Sequence, residues 1–542
     1  MLDTAATAKP TITKSDSLSN FESFRETVES IAVAFMLAFI FKTFLVEAFV
    51  IPTGSMAPTL QGRHQDIFCP QCHHQYRVGA GDGPPVASPR CPNCEYRLTA
   101  QQNLAAPVYS GDRILVNKFL YDFKEPQRWD VIVFKFPEDA KTNYIKRLIG
   151  LPGEQLTIRN GDIHTAKLVN GEPSGNEEIA RKPNHKKLVA MLQEVYANDD
   201  LHEGFVKQGW PLRWQDWSRP DQDSAWKPEN GGRDYVLAES TTREAWIRYQ
   251  HFVPTPNDWA DYLSPAPQPF GVVRPVPIKD DYAYNSRDLD GKHWVGDLVV
   301  EAEIATTAAD GVVTLELIKG GVKFQAMLDL QSGTARLVIP VLPSFQPEPV
   351  TLGWQGSGKH KILFANVDNQ LTLLVDGQPV FDPAMTRYND LNNNTFAEVI
   401  PERGVNEPSD FSPAGIAVRG TPATVKHLRI LRDVYYINPE ELIRAHAISD
   451  EHKFRTPIRL LDSNENDDLD QFLMLGDNSP RSSDSRYWTK QSYVERRQLI
   501  GKAIYIFWPH AWNFDWSFTV PLGPLSFDFP FYPNFKRMTL IR

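Results

Sequence analysis

The apolar run IAVAFMLAFIF at Ile31 to Phe41, which resumes after Lys42 and Thr43 as FLVEAFVI up to Ile51, constrains this chain more than any other segment. A bilayer's hydrocarbon core takes about 20 apolar residues to span, so the run predicts a membrane-crossing helix over 25–48. Its apolar residues fall on every helical face, unlike those of an amphipathic helix on a soluble core. Lys42 stands near the far end, where its stem can carry the ammonium to the interface. A long tail precedes the run and no A-x-A site follows, which favours a retained anchor over a cleavable leader. Lys9, Lys14 and Arg25 precede the span and Arg63 is the first basic residue well beyond it, a slight bias toward a cytoplasmic N-terminus.

The 542 residues leave room for two to four domains. A net charge of -10 without a clustered basic stripe excludes a nucleic-acid footprint. Residues 1–24 read as a disordered tail. Strand-like runs appear at Arg113 to Val116, Val131 to Phe136 and Tyr144 to Ile149, separated by Gly/Pro turns, and that pattern returns only at Phe472 to Leu475 and Lys502 to Phe507. Something large therefore interrupts one β unit, and the expected interruption is 166–466.

Its first part, 166–286, reads as mixed α/β, with Leu188, Met191, Leu192, Val195 and Tyr196 at helical spacing. Trp210, Trp214, Trp217 and Trp226 follow. Such a group can stack on sugars, but large aromatics more often pack irregular segments onto a core, and the core reading is favoured. The second part, 287–435, alternates: Leu298, Val300, Ala302 and Ile304 against Val299, Glu301 and Glu303, then Val322, Phe324, Ala326, Leu328 and Leu330. With a hairpin turn at Asp376-Gly377, this predicts an antiparallel sandwich. Residues 436–466 lead back to the first unit.

Four cysteines form two CPxC knuckles, Cys69-Pro-Gln-Cys72 and Cys91-Pro-Asn-Cys94, eighteen residues apart. That spacing predicts a zinc ribbon over 67–103, with two disulfides as the alternative. A shell closed by four thiolates leaves no position for a reactive water, so the expected zinc is structural and no cofactor is expected for catalysis. His73 and His74 read as solvent-facing bystanders.

Four segments occur in a telling order: IPTGSMAPTL around Ser55, GDRILVNKF at Gly111 to Phe119, YIKRLIGLPGE around Lys146, and GDNSPRSSDSRYW at Gly476 to Trp488. They resemble the boxes of bacterial type I signal peptidases. The resemblance implies a mainly β catalytic fold in 49–66, 104–165 and 467–542, with Ser55 as nucleophile and Lys146 as general base. It also implies a single-pass inner-membrane protein whose catalytic domain lies outside the cytoplasm and removes signal peptides from exported preproteins. A serine needs such a base, and an ordinary lysine is charged near neutrality; making it neutral there takes roughly 4 kcal/mol, which burial can supply. Arg147 could not replace it, because guanidinium stays protonated.

The resemblance further assigns the oxyanion hole to the Thr53 hydroxyl and the Ser55 backbone N–H, orientation of the lysine to Ser482, and support to Asp477 and an Asp484–Arg486 ion pair. Ser479, Pro480 and Arg481 depart from the family's usual Arg-Asp-Asn. Shallow pockets for small side chains would be lined by Ile51, Pro52, Met56, Leu60, Tyr144 and Ile145, residues that plain core packing would equally explain. The sandwich is similar to concanavalin-like, laminin-G-type jelly rolls, a likeness that names no ligand. The alternative reading is a membrane-anchored protein that binds glycan or wall polymer through the sandwich while the peptidase unit is vestigial; a glycan or protein ligand of the sandwich is an expected partner.

Overall fold

The separated strand-like runs come together in one antiparallel sheet. The computed structural model describes residues 14–40, 46–81, 86, 88–217, 225–285, 291–308, 310–389, 391, 408–438, 457–463, 467–509, 518–522, 525–529 and 534–542. Seven strands, β1 (Val46–Val50), β2 (Arg113–Asn117), β3 (Val131–Phe136), β4 (Asp139–Gly150), β5 (Gln471–Leu475), β6 (Val494–Glu495) and β7 (Leu499–Trp508), lie in the order β1-β2-β7-β3-β4-β5-β6. The late strand β7 sits between β2 and β3, so the two ends of the chain cannot form the sheet separately. Alternating side chains of β2, β3 and β7 place Ile114, Val116, Val131, Val133, Ala503 and Ile506 in one core with Ile51, Met56 and Leu60 of the loop after β1.

The segment before this sheet departs from expectation. Helix α1 (Lys14–Ile40) starts within the expected tail, of which 1–13 lie outside the described residues. Val46 to Ala48, expected to end the anchor, are instead strand residues: β1 pairs with β2 from Val46↔Asn117 to Val50↔Arg113. Pairing satisfies their backbone groups, and Glu47 lies 3.2 Å from Lys118. Among the described residues no helix is long and apolar enough to cross a membrane. Phe24, Val28, Ile31, Val33, Phe35 and Met36 on α1 are nevertheless exposed.

A four-stranded sheet of 154–159, 162–169, 172–179 and 458–459 continues the first unit. The interruption thus begins after Ile179 and ends before Ile458, shorter than expected at both ends. Two Asn-Gly turns explain this: Asn160 and Gly161 take φ of 52° and 89°, Asn170 and Gly171 take 54° and 80°, the positive values that tight hairpins require.

The sandwich is larger than the expected 287–435. Its eight-stranded sheet includes 227–229 and 234–237, with 193–197 also pairing onto 423–432, and its seven-stranded sheet includes 214–216 and 245–249. Residues assigned to a separate mixed insertion therefore complete both layers. Val195 and Tyr196 belong to strand Gln193–Ala197, because the preceding helix His185–Met191 is short and stops at Leu192. Leu298, Val300, Ala302 and Ile304 face Leu315, Leu317, Phe324, Ala326, Leu328 and Ile416 across the core. Trp214 and Trp226 are buried in the same core, whereas Trp210 packs with Phe205, Phe252 and Trp259 against the cysteine knuckles.

Candidate active site

Ser55 lies in a single 3-10 turn, Gly54–Met56, entered from Thr53 in extended conformation (φ -116°, ψ 156°). Below the turn, Met56 and Leu60 have no exposed surface and Ile51 almost none. They anchor the turn to the core, so in this structure they do not line an open groove. Pro52 and Thr53 are exposed, and the Thr53 hydroxyl makes no capping hydrogen bond. Ile145 is partly buried against the Met56 cluster, and Tyr144 stacks on Phe136 with ring centroids 4.4 Å apart.

Lys146 sits on β4 opposite Ile132 of β3. Its Nζ donates to Ser55 Oγ at 2.7 Å and to the Ile145 carbonyl at 3.0 Å, and both Lys146 and Ser55 are buried. Burial lowers the Lys146 pKa to about 8, with Arg486 adding to the effect, while Asp484 and Asp477 oppose it. Neither hydrogen-bond partner is charged, so the buried ammonium has no contacting carboxylate, only the Tyr144 ring 5.2 Å away. Once the amine is neutral, the same 2.7 Å contact can reverse, the hydroxyl donating to the Nζ lone pair.

Strand alternation sends the neighbouring Arg147 to the opposite face. It binds Asp477 through Nε at 2.7 Å and Nη2 at 2.6 Å, and donates to the carbonyls of Trp129 and Arg542. Thr59, four residues beyond Ser55, donates to the same Asp477 carboxylate. The pair is fully buried, and its fork geometry fastens β4, the Ser55 loop and the segment after β5 together.

That segment carries the remaining expected residues. Arg486 binds Asp484 through Nε at 2.9 Å and Nη2 at 2.8 Å, and Asp484 also accepts from the Gly476 N–H at 3.0 Å. The residues that depart from the family pattern form a 3-10 turn, Ser479–Arg481, and Ser479 Oγ accepts from Arg486 Nη1 and from the Ile437 N–H. Gly476 permits the close approach of this segment to the Ser55 turn: a Cβ there would lie 2.4 Å from the Ser55 carbonyl oxygen and 2.2 Å from Ser482 Oγ. Ser482 Oγ, expected to orient Lys146, is buried with no hydrogen-bond partner among the described residues; Lys146 donates to Ser55 and Ile145 instead.

Sequence reasoning missed Asn478. Its N–H donates to the Ser55 carbonyl at 3.1 Å and its Nδ2 to the Gly54 carbonyl at 3.0 Å. The intact Gly-Asp-Asn triplet was the available signal. Arg147 was set aside as a base, but its place beside Lys146 in a strand predicted a side chain on the other face.

The cysteine segment folds as two matched knuckles. Cys69 N–H donates to the His74 carbonyl and Cys91 N–H to that of Tyr96, and the fifth residue of each knuckle, His73 and Glu95, takes positive φ, 64° and 65°. All four cysteines are buried and free, their Sγ atoms within 4.8 Å of one another, with Cys69 and Cys94, and likewise Cys72 and Cys91, 3.6 Å apart. Sulfurs about 2.3 Å from a tetrahedral zinc stand about 3.8 Å apart, whereas a disulfide needs about 2.0 Å. The donor set and spacing fit the metal. Contrary to expectation His74 is buried, 2.7 Å from Asp200 Oδ2, and only His73 is exposed.

Residues 91–209 and 424–508 match the family described as signal peptidase, peptidase S26, a match that includes Lys146 and the 476–488 segment but not Ser55. Signal peptidase I of Pseudomonas fluorescens is 29% identical over 180 residues, covering 29% of this chain and 45% of that protein. Signal peptidase I of Pseudomonas aeruginosa is 30% identical over 156 residues, 25% of this chain and 38% of that protein. The chain thus spans less than half the length of these relatives. Among solved structures, a carbohydrate-binding module CBM66 from Bacillus subtilis (10% identical, 40% of this chain, 95% of that one, TM-score 0.22) and a Bacillus licheniformis β-glucanase (8%, 42%, 94%, 0.23) are similar at a level from which neither fold nor ligand follows.

Proposed function

We propose that this chain is a membrane-anchored serine endopeptidase of the signal peptidase I type that removes signal peptides from exported preproteins. The observation that carries the reading is the buried contact of Lys146 Nζ with Ser55 Oγ at 2.7 Å, with the lysine pKa brought to about 8. Neutral Lys146 takes the Ser55 proton as Oγ attacks the scissile carbonyl. The oxyanion is held by the Ser55 N–H and the Thr53 hydroxyl, and the ammonium then protonates the leaving amine. Water, deprotonated by the same lysine, hydrolyses the acyl-enzyme and frees Ser55.

The strand edge beside the dyad supports a peptide substrate. Among the described strands β4 pairs with β3 along most of its length, but with β5 only from Arg147 to Gly150, so the edge leading to Lys146 carries no paired strand and could take an extended chain. Anchoring by the segment before β1 belongs to this reading and rests on the apolar sequence and the exposed apolar residues of α1. The four cysteines would hold a structural zinc that ties the ribbon to the insertion, where Trp259 Nε1 donates to the Cys94 carbonyl.

The test is mass spectrometry of products after incubation with a preprotein. Cleavage at one site after small residues by the wild type, lost in Ser55→Ala and Lys146→Ala, is expected. Undiminished cleavage by either variant sinks the reading, and glycan binding without cleavage would favour a binding protein.

A further inference from the structure

We propose that Asn285, which the interruption supplies and none of the four boxes contains, is a positioning residue for the Ser55 oxyanion donor. The inference rests on the reading of Ser55 as nucleophile. In a planar trans peptide the C=O and N–H point in opposite directions, so whatever fixes the Gly54 carbonyl fixes the Ser55 N–H. Two donors hold it, the Ala57 N–H within the turn at 3.1 Å and Asn478 Nδ2 at 3.0 Å, and the Asn478 N–H also holds the next carbonyl, that of Ser55, at 3.1 Å.

A primary amide can turn over and present its oxygen to Gly54 instead, which would repel that carbonyl. The Gly54 carbonyl selects the donor end, and Asn285 holds the Asn478 amide in place there through a reciprocal pair, its Nδ2 donating to Asn478 Oδ1 at 2.9 Å and its Oδ1 accepting from Asn478 Nδ2 at 2.8 Å. Both side chains are buried, so no water competes. The adjacent Tyr284 fixes where Asn285 stands. Its carbonyl accepts from the Gly79 N–H at 2.9 Å, and its ring covers Gly54 so closely that a Cβ there would lie 2.2 Å from Cε1. One corner of the interruption thus touches the ribbon, the nucleophile turn and the 476–488 segment.

The full-length protein and its Asn285→Ala, Asn478→Ala and doubly substituted forms test this by hydrogen exchange over Gly54 to Met56 and by steady-state kinetics. Expected for Asn285→Ala are faster exchange in that segment and kcat lowered about tenfold, less than for losing an oxyanion donor outright, with KM and the midpoint of the pH profile unchanged. If Asn285 acts through Asn478, the double variant is no worse than Asn478→Ala alone. Unchanged exchange, or effects that multiply in the double variant, overturns the proposal. Should Asn285→Ala not fold, Asn285→Asp, which keeps the acceptor and loses the donor, is measured in the same way. A wild type without Ser55-dependent cleavage would defeat the peptidase reading, while the exchange data would still decide the positioning.

Discussion

Lys146 in the seven-stranded sheet and Lys182 and Lys319 at the junction with the sandwich are comparably buried, at 4%, 7% and 4% exposed, yet their protonation is driven in opposite directions. Burial pulls all three down. At the junction Lys182 Nζ lies 2.9 Å from Asp368 and also contacts Asp433, and Lys319 Nζ lies 2.5 Å from Asp297 with Asp162 at 4.0 Å. These carboxylates outweigh burial and raise both lysines above the ordinary value. Lys146 donates to a hydroxyl and a carbonyl and lies over the Tyr144 ring; the carboxylates that act on it, Asp477 and Asp484, are each paired with an arginine, and its pKa falls to about 8. Burial lowers a lysine only where the surrounding carboxylates do not outweigh it, as at Lys146.

The largest expected effect tests the uncompensated lysine. Lys146→Ala should lower kcat by at least about 10⁴-fold, about 5.5 kcal/mol of barrier, with little loss of folding stability, measured by single-turnover cleavage and denaturant unfolding. At the junction the outcome reverses: Asp368→Asn with Asp433→Asn strands a buried ammonium and should cost about 3–5 kcal/mol of stability in urea unfolding, leaving cleavage chemistry unchanged. Equal responses at the two sites would break the contrast.

Thr53→Val should lower kcat about 10²-fold, as for loss of one oxyanion donor, without shifting Tm, because the exposed hydroxyl caps nothing. The pH profile sharpens the comparison further. Lys146 must be neutral to act, so kcat/KM should rise with pH, reach half its plateau near 8 and level off above it; a limb near the ordinary lysine value would mean that burial has no effect. The smallest effect is expected at the cysteines. Elemental analysis should find one zinc per chain, and brief chelation should leave kcat within about twofold, as a closed structural shell implies.

Much of this was legible along the chain because the signals are local. Alternation marked β3 and β4 and the strands around Leu298 and Phe324, and the paired CPxC spacing marked the sulfur cluster that the structure brings together. The Asn160-Gly161 and Asn170-Gly171 turns were equally local and were overlooked, which shortened the first unit by a sheet edge. Val46 to Ala48 misled for a physical reason: the end of an apolar run suits a bilayer and a strand alike, and only the partner β2 chose between them.

The sequence by itself singled out the candidate residues: a serine in a Gly-containing turn, a lysine in an apolar strand, four cysteines in two knuckles. Which groups those residues meet was decided by the tertiary structure alone. Arg147 and Asp477 stand 330 residues apart in the chain and form one buried pair, and Asn285 and Asn478, 193 apart, form one amide pair beside Ser55. No pattern of periodicity encodes such partners, because hydrogen bonds between buried groups are fixed by the packing of distant elements. That packing also leaves Lys146 without a contacting carboxylate and surrounds Lys182 and Lys319 with them.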